Sequence, residues 1–338
     1  MQFHITLPQT ALALFISALS AFTAPVMAQD NLTIQTASGP VIGSQKEGVD
    51  SWLGLPYAAP PVAELRWQPP RPAASWTTPR KANALANRCP QNADLGGFAE
   101  AGGSEDCLYL NVYRPAGESK TGKKLPVFVW IHGGALQVGQ GGDYNPDRIV
   151  SQEKSLVVTL NYRLGVLGFL AHPALDSEGH KSGNYGLMDQ QAALRWVKQN
   201  ISVFGGDPDN VTIAGESSGG NSVMAHIVAP ESAGLFRHVI AMSGAGVMTR
   251  YPAFGAPRPL KVARETGVAF AKALGCKDND AVCLRAAPVK QILDIQPAYA
   301  LNEFIIDGQV LPMHPGDAFQ AGKINPVTLI NGSPRRYR

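Results

Sequence analysis

The chain of 338 residues is 45% hydrophobic and 16% charged, a composition that can bury a sizeable core and argues against intrinsic disorder. Its 29 basic and 26 acidic residues leave a net charge of only +3 without a long run of one sign. That balance gives little support for binding to nucleic acid or to an anionic membrane. It is compatible with a small neutral substrate.

The N-terminus has the layout of a secretory signal peptide. Residues 1–28 contain no Asp, Glu, Lys or Arg, and an apolar stretch from Ala11 to Phe22 leads to small residues at Ala28. This predicts cleavage after Ala28 and a secreted or periplasmic protein that begins at Gln29. The alternative, an uncleaved membrane anchor, is disfavoured because the apolar run is shorter than about 18 residues. No later segment is long and apolar enough to span a bilayer, so no stable membrane span is expected after cleavage.

Four cysteines form two local pairs, Cys89 with Cys107 and Cys276 with Cys283. An even count in a chain with a predicted signal peptide predicts disulfide bonds. A metal site is the alternative, but the sequence has no Cys-x-x-Cys and no histidine placed to complete a tetrahedral set. We therefore expect no metal.

The first segment after the signal peptide alternates apolar and polar residues. Leu32 to Gly43, centred on Gly39-Pro40, has the pattern of an antiparallel hairpin. From Leu55 to Arg80 the many prolines exclude long regular elements and predict an irregular surface segment.

The middle of the chain alternates buried-strand patterns with helical ones, which predicts an α/β fold with a mostly parallel sheet covered by helices on both faces. The predicted elements are strands at Val127–His132, Leu156–Asn161, Val211–Ala214 and Val239–Ser243, and helices at Tyr185–Gln199 and Asn221–Val228.

The sequence Gly215-Glu216-Ser217-Ser218-Gly219 fits G-x-S-x-G between a predicted strand and a predicted helix. In that context the motif is a sharp turn that presents a nucleophilic serine, and its register assigns this role to Ser217. The residue that follows, Ser218, is then expected to donate its backbone N–H to the oxyanion hole. The alternative is a glycine-rich turn with a capping serine.

Further oxyanion donors are expected in the loop that follows the Val127 strand, where His132-Gly133-Gly134-Ala135 lies. The backbone N–H groups of Gly134 and Ala135 are the predicted donors, because small residues let the backbone approach an acyl carbonyl. His132 is a less favoured catalytic base, since its position suits holding the loop by hydrogen bonding. The glycines that follow form no dinucleotide fingerprint, and we expect no cofactor.

These motifs, with others along the chain, resemble the type-B carboxylesterases, the family that includes the cholinesterases. The further matching segments are Leu55–Ala58, Leu65–Trp67, Ser104–Val112, Asn161–Gly165, Gly183–Gln190 and Phe204–Pro208. The resemblance covers residues 30–332 and implies an α/β-hydrolase fold with a mixed sheet of eight or more strands. It also implies hydrolysis of a small-molecule carboxylic ester through an acyl-enzyme on Ser217.

The resemblance carries further residue roles. It matches Cys89–Cys107 and Cys276–Cys283 with family disulfides, and Arg66 and Glu105 with a buried ion pair that could otherwise be two solvated charges. It makes Glu216 an acid that tunes the site and Ser243 a supporting hydroxyl, although each could be purely structural. Residues 90–106 contain Phe98 and no Trp, so cation–π recognition of a cationic ester is not expected.

The resemblance stops near the C-terminus. The family's acidic residue follows a buried strand, here predicted at Val327–Ile330, but Asn331-Gly332-Ser333 leads into a basic stretch at 334–338. Neither the acid nor the C-terminal histidine of the family has a counterpart, which suggests a shifted reading frame or premature stop. The predicted organisation is therefore a signal peptide at 1–28, the N-terminal part of a hydrolase domain at 29–333 and an aberrant tail at 334–338.

This departure leaves three interpretations. The first is an ester hydrolase with impaired activity, because no base takes the Ser217 proton. The second is a cholinesterase-like binding protein without catalysis, although such domains usually lose the nucleophile as well. The third is a fragment that does not fold stably. The sequence does not predict an oligomeric state.

Overall fold

The structure, a computed structural model, describes residues 1–2, 32–93, 95–96, 100–118, 122–180, 183–249 and 255–334. Chain contacts separate Met1–Asn31 from Leu32–Arg338 as two units. Apart from residues 1 and 2, the predicted signal peptide lies outside the described residues, as do Phe98 and 335–338 of the predicted tail.

The strands in chain order are β1 Thr33–Gln35, β2 Pro40–Ile42, β3 Ser44–Lys46, β4 Val49–Pro56, β5 Arg80–Lys81, β6 Tyr109–Pro115, β7 Leu125–Ile131, β8 Leu156–Leu160, β9 Gly206–Glu216, β10 His238–Met242, β11 Arg258–Pro259, β12 Ile305–Ile306 and β13 Thr328–Gly332. The α-helices are α1 Asp147–Glu153, α2 Gly165–Phe169, α3 Pro173–Asp176, α4 Tyr185–Asn200, α5 Ser218–Val228, α6 Leu260–Ala273, α7 Ala281–Ala286, α8 Val289–Ile295 and α9 Pro315–Gln320.

The predicted N-terminal hairpin is confirmed. Strands β1 and β2 pair antiparallel with Ile34 opposite Val41, and β5 extends this small sheet on the other side of β2. A side chain at Gly39 would bring its Cβ within 2.3 Å of the Trp76 carbonyl oxygen, so the turn has room only for glycine.

An eight-stranded mixed sheet forms the centre of the fold, in the order β13-β10-β9-β7-β8-β6-β4-β3. Strands β13, β10, β9, β7 and β8 run parallel, whereas β6, β4 and β3 continue the sheet by antiparallel pairing. Parallel strands require crossovers, and the connections through α1, α4 and α5 supply them. The predicted α/β-hydrolase fold is confirmed.

Helix α4 buries most of its residues, and α5 buries all of them. Helix α5 is buried along its whole length because it follows β9 directly and packs against the neighbouring strands. Among the helices that the structure describes, none combines the length and apolar character needed to cross a membrane.

Two element boundaries differ from the sequence prediction by three or more residues, and one burial expectation is wrong. Strand β9 begins at Gly206 rather than Val211, and α5 begins at Ser218 rather than Asn221. Every residue of β13 is exposed although a buried strand was expected there, because β13 has a neighbour on only one side among the described strands. Apolarity predicts a strand, but not its place in the sheet.

Covalent and ionic links join the segments around the sheet. The structure pairs Cys89 with Cys107 and Cys276 with Cys283, with Cα–Cα distances of 5.0 and 5.7 Å, as the sequence predicted. Arg66 and Glu105 form two hydrogen bonds of 2.6 Å with side chains only 8% and 12% exposed, so the pair is not two solvated charges.

Candidate active site

Ser217 lies at the junction between β9 and α5, with backbone angles of φ 57° and ψ −123°. This is a conformation that L residues rarely adopt, and it persists only where the surroundings enforce it. A Cβ at Gly215 would lie 2.4 Å from the Gly219 carbonyl, and one at Gly219 would lie 2.2 Å from the Ile131 carbonyl oxygen. The motif therefore needs its glycines because the backbone of α5 lies directly against β7 and β9.

Two cavities adjoin Ser217. The first has a volume of about 500 Å³, and its walls include Ser218, Ser243 and Asn302. The second has a volume of about 580 Å³, and its walls include Gly134, Tyr144 and Glu216. Because Ser217 and Ala135 line both cavities, the serine and the tip of the glycine loop lie at their boundary.

The loop after β7 contains three consecutive residues of positive φ: Gly134 at 102°, Ala135 at 57° and Leu136 at 57°. The Gly134 carbonyl accepts hydrogen bonds from the N–H groups of Gln137 (2.9 Å) and Val138 (3.0 Å), which close the turn. The N–H groups of Gly134 and Ala135 donate no hydrogen bond to another described residue. Ser218 begins α5, so its N–H has no acceptor within the helix. The three N–H groups predicted as oxyanion donors therefore have no hydrogen-bond acceptor among the described residues, and their role as donors stays a prediction.

Two side chains hold this loop through hydrogen bonds that the sequence did not predict. The Ser218 hydroxyl accepts a hydrogen bond from the Leu136 N–H (3.1 Å), and the Asn302 side-chain amide donates to the Ala135 carbonyl (2.9 Å). Ser218 was expected to contribute only its backbone. Nothing in the sequence near Asn302 signals this contact.

His132 is fully buried at the start of the loop. Its Nδ1 lies 2.8 Å from the Gly133 carbonyl oxygen, its ring stacks on Tyr162 at 4.4 Å, and the Tyr162 hydroxyl donates to its carbonyl (2.8 Å). Burial lowers the pKa of the imidazole to about 4. His132 therefore helps to hold the loop in place, as its position in the sequence suggested.

Glu216 and Ser243 line different cavities, each of which Ser217 also lines. Glu216 is exposed and lines the second cavity, whereas Ser243 lines the first and has a φ of 52°. The Ser243 N–H donates to the Gly332 carbonyl (2.7 Å), which brings the end of β13 to the same cavity. Among the described residues, neither side chain hydrogen-bonds to Ser217, and their supporting roles remain predictions.

Within the described ranges, no histidine lines either cavity. His226 contacts Ser232 and Gln190 in the core, and His314 contacts the Thr249 carbonyl and caps α9. The described residues contain no group of three or more His, Cys, Asp or Glu side chains arranged to hold a metal ion.

A sequence model described as the carboxylesterase family matches residues 30–336. The chain belongs to the carboxylesterase family. Its match extends over both the glycine loop and the Ser217 turn, so family membership includes the candidate site and not only the sheet.

Among similar proteins, the carboxylesterase chain is 40% identical over 304 residues to the acylcarnitine hydrolase of Mus musculus, covering 85% of this chain and 52% of that protein. It is 39% identical over 318 residues to the para-nitrobenzyl esterase of Bacillus subtilis (strain 168), covering 89% and 62%. A solved thermophilic PNB esterase superposes with a TM-score of 0.82 at 35% identity, covering 90% and 63%. The chain thus spans about half to three-fifths of the length of these relatives.

Proposed function

We propose that this chain supplies the nucleophile and the oxyanion donors for carboxylic ester hydrolysis through an acyl-enzyme on Ser217. The observation that carries the proposal is the backbone of Ser217, with φ 57° and ψ −123° at the junction of β9 and α5. This turn sets the serine at the boundary of two cavities, next to unpaired N–H groups.

In the proposed reaction, Ser217 Oγ attacks the ester carbonyl carbon and loses its proton to a base. The carbonyl oxygen becomes an oxyanion that accepts hydrogen bonds from the N–H groups of Gly134, Ala135 and Ser218. Collapse breaks the bond to the alcohol, which leaves with a proton, and water then releases the carboxylic acid. Each oxyanion donor contributes about 3 kcal/mol to the transition state.

The proposed substrate is a small carboxylic ester whose two parts lie on either side of Ser217. The cavities, of about 500 and 580 Å³, are of the size that small ligands occupy. Relatives named for hydrolysis of acylcarnitine and of para-nitrobenzyl esters give the same substrate class. The small net charge of +3 does not favour nucleic acid as a partner.

We also propose that deprotonation of Ser217 limits turnover by the 338-residue chain. In the part of the chain that the structure describes, the cavity walls at Ser217 hold no histidine, and His132 is engaged in the loop. A serine without a paired base keeps its ordinary, weakly nucleophilic hydroxyl. We expect turnover at least about 1,000-fold slower than that of a hydrolase with a full triad.

Export is a further part of the proposal, with a signal peptide at 1–28, a carboxylesterase domain at 29–333 and a basic tail at 334–338. The paired cysteines support it, since disulfides form and persist in oxidising compartments. N-terminal sequencing of exported protein is expected to begin at Gln29, and an intact Met1 in a membrane fraction would contradict the signal peptide.

The test of the proposed activity is turnover of p-nitrophenyl butyrate by the purified 338-residue protein. Ser217→Ala is expected to abolish the slow turnover, whereas Ser151→Ala, on the exposed surface of α1, is the matched control and should leave it unchanged. Turnover that persists in Ser217→Ala would show that Ser217 is not the nucleophile. Turnover at the rate of an esterase with a full triad, lost in Ser217→Ala, would show that a base does take the Ser217 proton. It would contradict the proposal that deprotonation limits turnover.

A further inference from the structure

The peptide unit between Ala135 and Leu136 is held from both sides. Its carbonyl accepts a hydrogen bond from the Asn302 side-chain amide (2.9 Å), and its N–H donates to the Ser218 hydroxyl (3.1 Å). The C=O and N–H of a trans peptide point in opposite directions, so two partners on opposite sides fix the rotation of its plane.

This peptide needs such support because both of its residues are strained. Ala135 and Leu136 each have a φ of 57°, in the left-handed region that disfavours residues with a Cβ. Strained backbone conformations persist only where several contacts from the surrounding structure enforce them. Loss of one partner is therefore expected to let the peptide rotate toward a less strained conformation, which would turn the neighbouring N–H of Ala135 away from the cavity.

The segment that carries Asn302 is itself rigidly anchored. Leu301 and Phe304 on either side are 2% and 1% exposed, and the Phe304 ring packs edge-on against Phe169 at 5.8 Å. The Phe304 carbonyl accepts from the Arg258 N–H (2.9 Å). Asn302 thus projects from a fixed stretch of chain into the first cavity, which Ser217 also lines.

We propose that Asn302 is a positioning residue for the oxyanion loop, holding the Ala135–Leu136 peptide so that the Ala135 N–H faces the acyl oxygen. The inference rests on the proposed esterase function for its kinetic consequence, whereas the contact itself does not depend on activity. Asn302 acts through the loop and together with Ser218, which holds the other side of the same peptide.

The experiment compares Asn302→Ala, Asn302→Asp, Ser218→Ala and the Asn302→Ala/Ser218→Ala double variant with the unmodified chain. Asn302→Asp keeps the shape but replaces the donor with an acceptor that faces the Ala135 carbonyl. The matched control is Asn92→Ala, which removes a similar side-chain bond to the Leu293 carbonyl (2.8 Å) at a residue that lines neither cavity. Two readouts are used: hydrogen exchange of the segment 133–138, and kcat and KM for p-nitrophenyl butyrate.

Both Asn302 variants are expected to exchange faster in 133–138 and to lower the Ser217-dependent kcat by about 10- to 100-fold with an unchanged KM. The double variant should lose less than the product of the two single losses, because both side chains hold one peptide. Asn92→Ala should change neither readout.

Unchanged exchange in 133–138, or a kcat equal to that of the Asn92→Ala control, would overturn the positioning role. A fall in thermal stability with no change in either readout would assign Asn302 a purely structural role. If the unmodified chain shows no turnover beyond that of Ser217→Ala, the proposed function has failed, and hydrogen exchange alone then decides whether Asn302 holds the loop.

Discussion

The backbone N–H of Ser217 donates a hydrogen bond of 2.9 Å to the carbonyl of Met242, the last residue of β10. The serine turn is therefore tied to the neighbouring strand as well as to the strand that precedes it. Strand β10 lies between β9 and β13 in the sheet. The position of Ser217 therefore depends on how β10 is held between these two neighbouring strands.

The close approach of α5 to β7 gives the first prediction. In Gly219→Ala the new Cβ would lie 2.2 Å from the Ile131 carbonyl oxygen, and backbone atoms at such a contact have to move. We expect the free energy of unfolding to fall by about 2 kcal/mol and Ser217-dependent turnover to disappear. Urea denaturation measures the first effect. Gly332→Ala, whose Cβ would meet no atom within 4 Å, is the control, and equal losses in both variants would contradict the steric account.

The serine turn and the glycine loop were predictable from sequence because their chemistry is local. A sharp turn from a strand into a helix requires glycines, which Gly215 and Gly219 supply here. A pair of glycines after a strand, such as Gly133 and Gly134, is typical of an oxyanion loop. The start of α5 was misplaced by three residues, since glycines ordinarily disfavour a helix. Here they continue the helix because only they fit against the backbone of the neighbouring strands.

The contact of Asn302 with Ala135 could not be predicted from sequence. The two residues are 167 positions apart in the chain, and their contact depends on the tertiary packing of the segment before β12. The exposure of β13 escaped prediction for a similar reason, because Leu329 and Ile330 predict a strand but the sheet order leaves them at its edge.

The disulfides give a prediction about stability. Cys89→Ser/Cys107→Ser opens the larger loop, with a sequence separation of 18, and Cys276→Ser/Cys283→Ser opens one with a separation of 7. Chain entropy predicts losses of about 3 and about 2.5 kcal/mol in the free energy of unfolding. Peptide mapping without reduction checks the pairing itself. A crossed pair, or a larger loss from the smaller loop, would argue against this assignment.

The buried ion pair between Arg163 and Asp189 predicts a large loss on removal of one partner. Asp189 accepts from the Arg163 side chain through two bonds of 2.7 Å, and the two side chains are 4% and 0% exposed. Asp189→Asn leaves the guanidinium buried without its counter-charge, which costs about 3–5 kcal/mol of stability.

The matched control for that variant is Asp294→Asn, which breaks an exposed pair with Lys290. Such a pair contributes less than about 1 kcal/mol. Denaturation midpoints that shift equally in the two variants would show that the Arg163–Asp189 pair contributes no more than a surface pair.

The buried histidines predict a dependence of stability on pH. Burial lowers the pKa of His226 to about 3, with a further lowering by the charge of Arg195, and burial lowers the pKa of His132 to about 4. The unfolded chain binds these protons near pH 6.5, whereas the folded chain does not. The contribution of these groups to stability is therefore complete above about pH 6.5 and falls as the pH decreases toward the folded-state values.

His226→Gln tests this dependence. The variant is expected to be less stable at pH 7.5, because the bonds to Ser232 and Gln190 change, but its denaturation midpoint should decline less steeply between pH 6.5 and 4. Parallel curves for the two proteins would show that His226 does not contribute to acid sensitivity.

The central claim is that Ser217 is the nucleophile, and covalent trapping tests it most directly. The folded 338-residue protein is incubated with a fluorophosphonate, and the adduct is located by peptide mass spectrometry. Because Ser217 is proposed to lack a paired base, we predict slow phosphonylation of one serine, Ser217, with labelling lost in Ser217→Ala and retained in Ser151→Ala. An adduct that maps to another residue, or that forms in equal yield in Ser217→Ala, would contradict it.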